Sequence, residues 1–290
     1  MDKNLVDKIV NTSFFNVDDA AELFKENGVS QIKILANGTI LCGAAEKCEM
    51  LIVFRFKPFG IMAEQSGKEV EGVILGGTEK EAAADSILYK NSDLRAVLRK
   101  KDDKLIISTN DETELNPGEI LEPAHSAIIK GNRIYTSDVS IMMLYLAIKC
   151  AESGRTAVAL VNESAAGEEA LSEIVRGIMP RMAVVVSAAA ENEDFKTGKG
   201  VGIVIKDGCC VVHEKTVEKL NEAGSGDTQY YIGKTDTGLE RLSISAAMEK
   251  FCGIYVAAAG IGTRVCELSV KDVEKTQNFL LKISDIFDII

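Results

Sequence analysis

Two histidines, His125 and His213, are all the imidazole this chain offers to proton transfer or metal binding. His125 follows Pro123 in a loop, and His213 stands at the start of a predicted helix. Neither has a partner at metal-ligand spacing, so both read as structural or exposed. Among the carboxylates, Glu163 follows a predicted strand, while Glu168 and Glu169 open the next helix. A pair of acids at a helix start faces the positive end of the macrodipole, and solvation there is the plain reading. A serine or cysteine nucleophile with a distant histidine would depend on long-range contacts that spacing does not reveal. Two glycine-rich loops test for phosphate binding. Gly198-Lys199-Gly200-Val201-Gly202 precedes a strand instead of following one, so the dinucleotide fingerprint fails. Gly233-Lys234-Thr235 has the end of a phosphate loop, but Thr228 stands where the earlier glycine is required.

The elements that must position these groups are organised around residues 232–245. Gly233 and Gly238 permit sharp turns. Thr235, Asp236 and Thr237 are good N-caps for an amphipathic helix at 239–248, which the pattern stops at Gly253. A helix start beside a loop after a strand is a usual place for a ligand. A strand follows at 254–259, and a glycine-bearing segment then leads into the last helix, 270–287, with Ser269 and Asp272 as its capping box.

Upstream, helical spacing marks 5–10 and 17–25, and Asn37-Gly38 between apolar runs marks a hairpin. Residues 50–56 are a short apolar run that Pro58 breaks. From about 59 to 127 the chain becomes glycine-punctuated and β-rich. Strands are expected at 70–75, 94–98 and 104–108, with a turn at 99–103 and another at Asn116-Pro117-Gly118-Glu119. An apolar helix at 138–151 follows. Strands at 156–161, 182–186 and 202–205 then alternate with helices at 168–177 and 213–223. Alternation of this kind predicts an α/β fold with a mainly parallel sheet.

A formal charge of −11 argues against nucleic acid as a partner and favours a plain solubility role. No apolar run reaches the length of a membrane helix, and the N-terminal residues lack a signal-peptide pattern. The expectation is a cytoplasmic protein with no membrane partner. Seven cysteines with no Cys-x-x-Cys pair read as reduced thiols, and adjacent Cys209-Cys210 as strand packing.

The order of several short motifs resembles the glutamyl and tetrahedral aminopeptidases, dinuclear-metal enzymes with relatives labelled cellulase or endoglucanase. Asn37-Gly38-Thr39-Ile40 looks like the family's Gly-Asn-Leu hairpin, and Asn116-Pro117-Gly118-Glu119 like its Pro-Gly-Asp turn. Residues 129–133 match the approach to its Asp-Asp-Arg motif. Gly198-Lys199-Gly200, Gly233-Lys234-Thr235-Asp236-Thr237-Gly238 and Ile261-Gly262-Thr263-Arg264 resemble three further motifs. The resemblance spans nearly the whole chain. It implies a three-layer α/β/α sandwich of the zinc-exopeptidase kind, built from residues 1–58 and 128–290. A small β-barrel-like domain, residues 59–127, is inserted. It also implies a homo-oligomer, expected to be a dimer.

The implied chemistry carries over less well. The family's His-x-Asp falls on Arg55-Phe56-Lys57, and its bridging Asp falls on Thr136, close to Asp138. Its Glu-Glu pair falls on Glu163-Ser164, so Glu163 keeps the general-base position while Ser164 replaces a ligand. The next Asp falls near Ser187 and the final His on Glu267; Asp236 lies in the matching glycine motif. These replacements imply no metal, with Arg55 and Lys57 offsetting Glu163 and Glu267. The leading expectation is an aminopeptidase-like protein that has lost metal-dependent peptide hydrolysis and acts as a binding or assembly subunit for a peptide or small molecule. Whether it is an enzyme is open. The alternative is an active metallo-aminopeptidase with zinc or cobalt at a rearranged site of Asp138, Glu163 and Glu267. A third reading is a metal-independent hydrolase using Ser164, Ser187 or Cys266.

Overall fold

The computed structural model describes residues 1–43, 48–76, 87–89, 94–102, 104–109, 113–166, 170–207, 210–233, 251–261 and 265–287. The chain opens with α1 (Lys3–Val10) and α2 (Val17–Glu26), each capped by the side chain before it, Asp2 and Asn16. A hairpin, β1 (Ile32–Ile34) and β2 (Ile40–Cys42), leads to β3 (Met50–Phe56). Its loop, residues 35–39, holds five residues and is closed by a Gly38 N–H bond to the Leu35 carbonyl. Gly38 takes a positive φ of 78°, which a side chain would resist.

Six strands then close a barrel: β4 (Gly60–Ala63), β5 (Glu69–Gly76), β6 (Ile87–Tyr89), β7 (Arg95–Lys101), β8 (Lys104–Thr109) and β9 (Ile120–Pro123). Its interior is apolar, with Ile61, Leu88, Leu98, Ile107 and Leu121 fully buried. The turn expected at 99–103 is shorter than the charge run suggested. β7 runs on to Lys101 because Arg99 and Lys100 pair in the ladder with Ile106 and Leu105, and charged side chains on an outer barrel face do not disturb the backbone.

The chain leaves the barrel through the hairpin β10 (Ala127–Lys130) and β11 (Arg133–Thr136). There follow α3 (Ser140–Glu152), β12 (Ala157–Asn162), α4 (Glu163–Ala166), α5 (Ala170–Ile178) and β13 (Met182–Ala190). β14 (Val201–Asp207), β15 (Cys210–Val211), α6 (Glu214–Gly224) and β16 (Thr228–Ile232) come next. The described chain ends with β17 (Phe251–Ala259), β18 (Cys266–Ser269) and α7 (Val270–Phe287).

One sheet of twelve strands runs in the order β1-β2-β12-β3-β13-β17-β18-β11-β10, with β14, β15 and β16 branching from β17. Its centre is parallel, with β12, β3, β13 and β17 running together, and the branch strands β14 and β16 also pair parallel, while β1, β2, β18, β11 and β10 pair antiparallel. The sheet is therefore mixed, not mainly parallel. Short hairpins on both flanks can only be antiparallel, and the parallel pairs require crossovers through helices. Successive strand residues alternate between two cores. Ile52, Phe54, Val184, Val186, Ile254 and Val256 pack under α1, α2, α3, α6 and α7. Leu51, Val53, Ala159, Val161, Val185 and Ala257 face α5. The fold class is thus α/β with a closed six-stranded barrel.

Two expectations near the C-terminus change. Gly253 does not stop a helix; it lies buried inside β17, paired with Val185 of β13. A strand, β18, also intervenes before the last helix, folding back on β17 through Ala258–Leu268. The helix expected at 239–248 and its caps Thr235, Asp236 and Thr237 lie outside the described residues, as do Glu168, Glu169 and Cys209.

Candidate functional site

The polar residues of interest gather at the carboxyl ends of the central parallel strands, on the α5 side of the sheet. Arg55 is the penultimate residue of β3 and sits opposite Val161 of β12. On β13, Ser187 faces Tyr255 of β17, and its hydroxyl lies 3.4 Å from the Arg55 carbonyl. Alternation along β3 puts Arg55 on the same face as Leu51 and Val53, so its guanidinium rises beside an apolar floor.

Glu163 meets it there. Asn162 ends β12 and caps the single turn that follows, its Oδ1 accepting from the Ser164 and Ala165 N–H groups at 3.0 and 3.3 Å. Its Nδ2 donates to the Phe14 carbonyl at 2.7 Å, which ties the turn to the loop between α1 and α2. So held, Glu163 accepts from the Arg55 Nη2 at 2.8 Å, with the two side chains 14% and 7% exposed. Burial acts to lower the Arg55 pKa, but the charge of Glu163, with Tyr255 and Asp207 beyond it, outweighs burial and raises it. Arg55 therefore stays a cation beside Glu163.

Behind the pair is a second buried contact that sequence reasoning missed. The Tyr255 hydroxyl donates to Asp207 Oδ2 at 2.6 Å. Burial pushes this hydroxyl well above its ordinary range; Arg55 opposes the shift and Asp207 adds to it. Tyr255 stacks edge-on with Tyr231, which stacks in turn with Phe195. The signal was present in the sequence as single polar residues inside apolar strands, Asp207 at the end of β14 and Tyr255 within β17. Gly233 belongs here too, because a Cβ at that position would lie 2.4 Å from Asp207 Oδ1.

The other singled-out residues are placed apart from the Arg55–Glu163 pair. Lys57 is exposed. The Ser164 hydroxyl donates to the Pro58 carbonyl at 2.7 Å. Thr136 is buried, and its hydroxyl lies 2.8 Å from the Asp138 carbonyl. Asp138 Oδ1 accepts from the Ser140 N–H at 2.6 Å at the start of α3. Burial raises its pKa against the bonds from Ser140 and Phe59 and the pull of His125. Glu267 pairs with Arg133 at 3.3 Å across β18 and β11, in reach of solvent. It does not share a cluster with Glu163. Cys266 lies against the Gly260 carbonyl, 3.6 Å away. Asp236 is outside the described residues.

The histidines have structural partners. His125 Nε2 is 3.0 Å from Glu122 Oε2 in a buried contact, with its ring 4.2 Å from that of Phe14. His213 caps α6, its Nδ1 accepting from the Lys215 N–H. The loop Gly198-Lys199-Gly200 does bind a carboxylate, an internal one. The Gly198 and Gly200 N–H groups donate to Asp272, which is fully buried at the start of α7. Only half of the expected capping box forms: the Asp272 N–H reaches Ser269 Oγ at 3.3 Å, while its carboxylate serves the glycine loop.

Tested as a cage for two metal ions, the described side chains do not fit. A guanidinium already occupies Glu163, and hydroxyl groups at Thr136, Ser164 and Ser187 bond carbonyl oxygens. Among the described residues no group of three or more His, Cys, Asp or Glu is placed to hold a metal. Asp138, Glu163 and Glu267 each keep a different partner.

No family model matches the chain, and no curated protein matches it significantly. Solved structures match it over nearly its full length. The TET aminopeptidase of a marine-sediment Thaumarchaeota archaeon aligns at a TM-score of 0.80 and 12% identity, over 99% of this chain and 98% of the other. The TET1 peptidase of Pyrococcus horikoshii, which can assemble into a tetrahedron or a large octahedral shell, aligns at 0.81 and 13%, over 97% and 98%. The fold is that of the TET aminopeptidases. An aminopeptidase from Desulfurococcus kamchatkensis aligns at 0.77 and 16%, over 99% and 98%. At such identities the likeness is one of fold, and activity must be argued from the site. Among the described residues no helix is long and apolar enough to cross a membrane.

Proposed function

We propose that this chain is an aminopeptidase-like protein that has given up dinuclear-metal peptide hydrolysis and serves as a binding or assembly subunit. The observation that carries the reading is the buried Arg55–Glu163 pair. A guanidinium fixed against the carboxylate at the general-base position offsets its charge and takes up one of the oxygens that a base would turn toward water. Arginine also supplies internally the positive charge that a metal would bring, so the carboxylate is not stranded when no metal is bound. The assemblies formed by the Pyrococcus horikoshii peptidase support a homo-oligomer, at least a dimer, for this chain as well. We place it in the cytoplasm, where its buried thiols Cys42, Cys150 and Cys252 would stay reduced.

The test is metal content together with activity. Purified protein should carry no stoichiometric zinc or cobalt, and aminoacyl substrates should not be cleaved faster when either ion is added. Chelator-sensitive cleavage, or bound metal near Glu163, would overturn the proposal in favour of a rearranged metallo-aminopeptidase. Light scattering should give more than one chain per particle; a monomer at high concentration counts against the assembly role.

A further inference from the structure

A groove of about 680 Å³ runs between the β1–β2 hairpin and α5, at the sheet edge away from β17. This is the size of a small-molecule site. Its floor is apolar, made by Leu35, Leu41, Ile174 and Ile178. Gly177 of α5 also lines it and leaves room, since a Cβ there would meet nothing within 4 Å. The register places Lys33 opposite Leu41, so Lys33 stands on the α5 side of the hairpin. Glu173 lines the helical wall. One wall thus carries an ammonium and the other a carboxylate. Among the described residues neither is in an ion pair, with the other or with a third group.

We infer that this groove binds a small zwitterion with an apolar middle. Its carboxylate would face Lys33, its ammonium Glu173, and its hydrocarbon body the floor between them. Opposite charges on two walls that do not reach each other leave both open to a ligand spanning the gap. Burial of the apolar body would supply most of the affinity, and the two charged contacts would set its orientation. The inference does not rest on the metal question, because the groove uses none of Arg55, Glu163, Tyr255 or Asp207.

The probe is 8-aminooctanoate, which has both charges and a plain hydrocarbon middle, titrated calorimetrically into the full chain. Binding is expected with a Kd of about 1 mM, with octanoate and octylamine weaker because each lacks one charge. Lys33→Glu and Glu173→Lys should each weaken binding by about fivefold, in keeping with solvent-exposed ion pairs. The double variant should return to within about twofold of wild type, since the zwitterion can bind turned end for end. Gly177→Leu fills the groove from a helical position with space for the side chain, so it should remove binding while leaving thermal stability intact. No binding to about 10 mM overturns the inference. Octanoate or octylamine binding as tightly as 8-aminooctanoate, or a double variant as weak as the singles, likewise overturns it. If the chain proves to be a metal-dependent peptidase, these outcomes are unaffected.

Discussion

Phe54 and Arg55 are neighbours in β3 and point to opposite faces of the same sheet. Phe54 is fully buried among Ile52, Val184, Ile254 and the α3 side chains. Arg55 rises on the α5 side, where the floor of Ala159, Val161 and Val185 gives way to Glu163, Ser187, Tyr255 and Asp207 at the strand ends. Parallel strands are normally apolar on both faces. One face here keeps that rule as far as Asn162, the last residue of β12, and the other abandons it where ligands usually meet such sheets. The α3 face packs the larger apolar core, and the α5 face carries the buried Arg55–Glu163 and Tyr255–Asp207 contacts.

The contrast can be broken or sharpened by substitution. Phe54→Ala should be the most costly change, at about 3–5 kcal/mol by chemical denaturation, because no partner substitution refills an apolar cavity. A loss near zero would mean the α3 face is not the stable one. Arg55→Met should cost about 3 kcal/mol by leaving Glu163 buried and uncompensated. The double change Arg55→Met with Glu163→Leu should recover to within about 1 kcal/mol of wild type, which no second change on the α3 face could do for Phe54→Ala. Added zinc should not rescue Arg55→Met; rescue would point to a metal at Glu163.

Asp138, where α3 begins, tests the boundary between the faces. Its carboxyl is raised by burial, so the folded state holds this proton more tightly than the unfolded chain. That contribution is fully present below the ordinary aspartate pKa of about 3.9 and is lost as pH rises through the raised value. Asp138→Asn keeps the acceptor for the Ser140 N–H and removes the titration. The variant should therefore gain on wild type in melts run from about pH 4 toward pH 7. A constant difference across that range would contradict the assignment. Smallest in energy is the behaviour of the α3-face thiols. Burial raises the Cys42 and Cys150 pKa to about 12 and lifts Cys252 further. With almost no thiolate at pH 8, these three should resist a disulfide reagent in native protein and react only after unfolding.

Much of the architecture could be read from the chain alone, because it is written in local signals. The Asn37-Gly38 hairpin, the alternation after α3 and the glycine-punctuated segment that closes into a barrel rest on short-range turn chemistry and periodicity. Gly253 misled for the same reason. A glycine after an amphipathic run is a fair helix stop, and only burial between neighbouring strands of the sheet accounts for its place inside β17. The mixed sense of the sheet was equally hidden, since strand direction depends on which distant segments pair.

The site divides along the same line. The family resemblance in the sequence leads to the expectation that Arg55, Lys57 and Ser164 replace metal ligands while Glu163 keeps the base position, and the sequence holds only two histidines for catalysis. Tertiary structure alone decided which charges meet. Arg55 reaches Glu163 across 108 residues, Glu267 takes Arg133, and Asp272 captures the glycine loop from 72 residues away. The physical reason is desolvation. A carboxylate removed from water must find a cation or N–H donors, and the nearest one is set by strand register and helix packing, which no local spacing encodes.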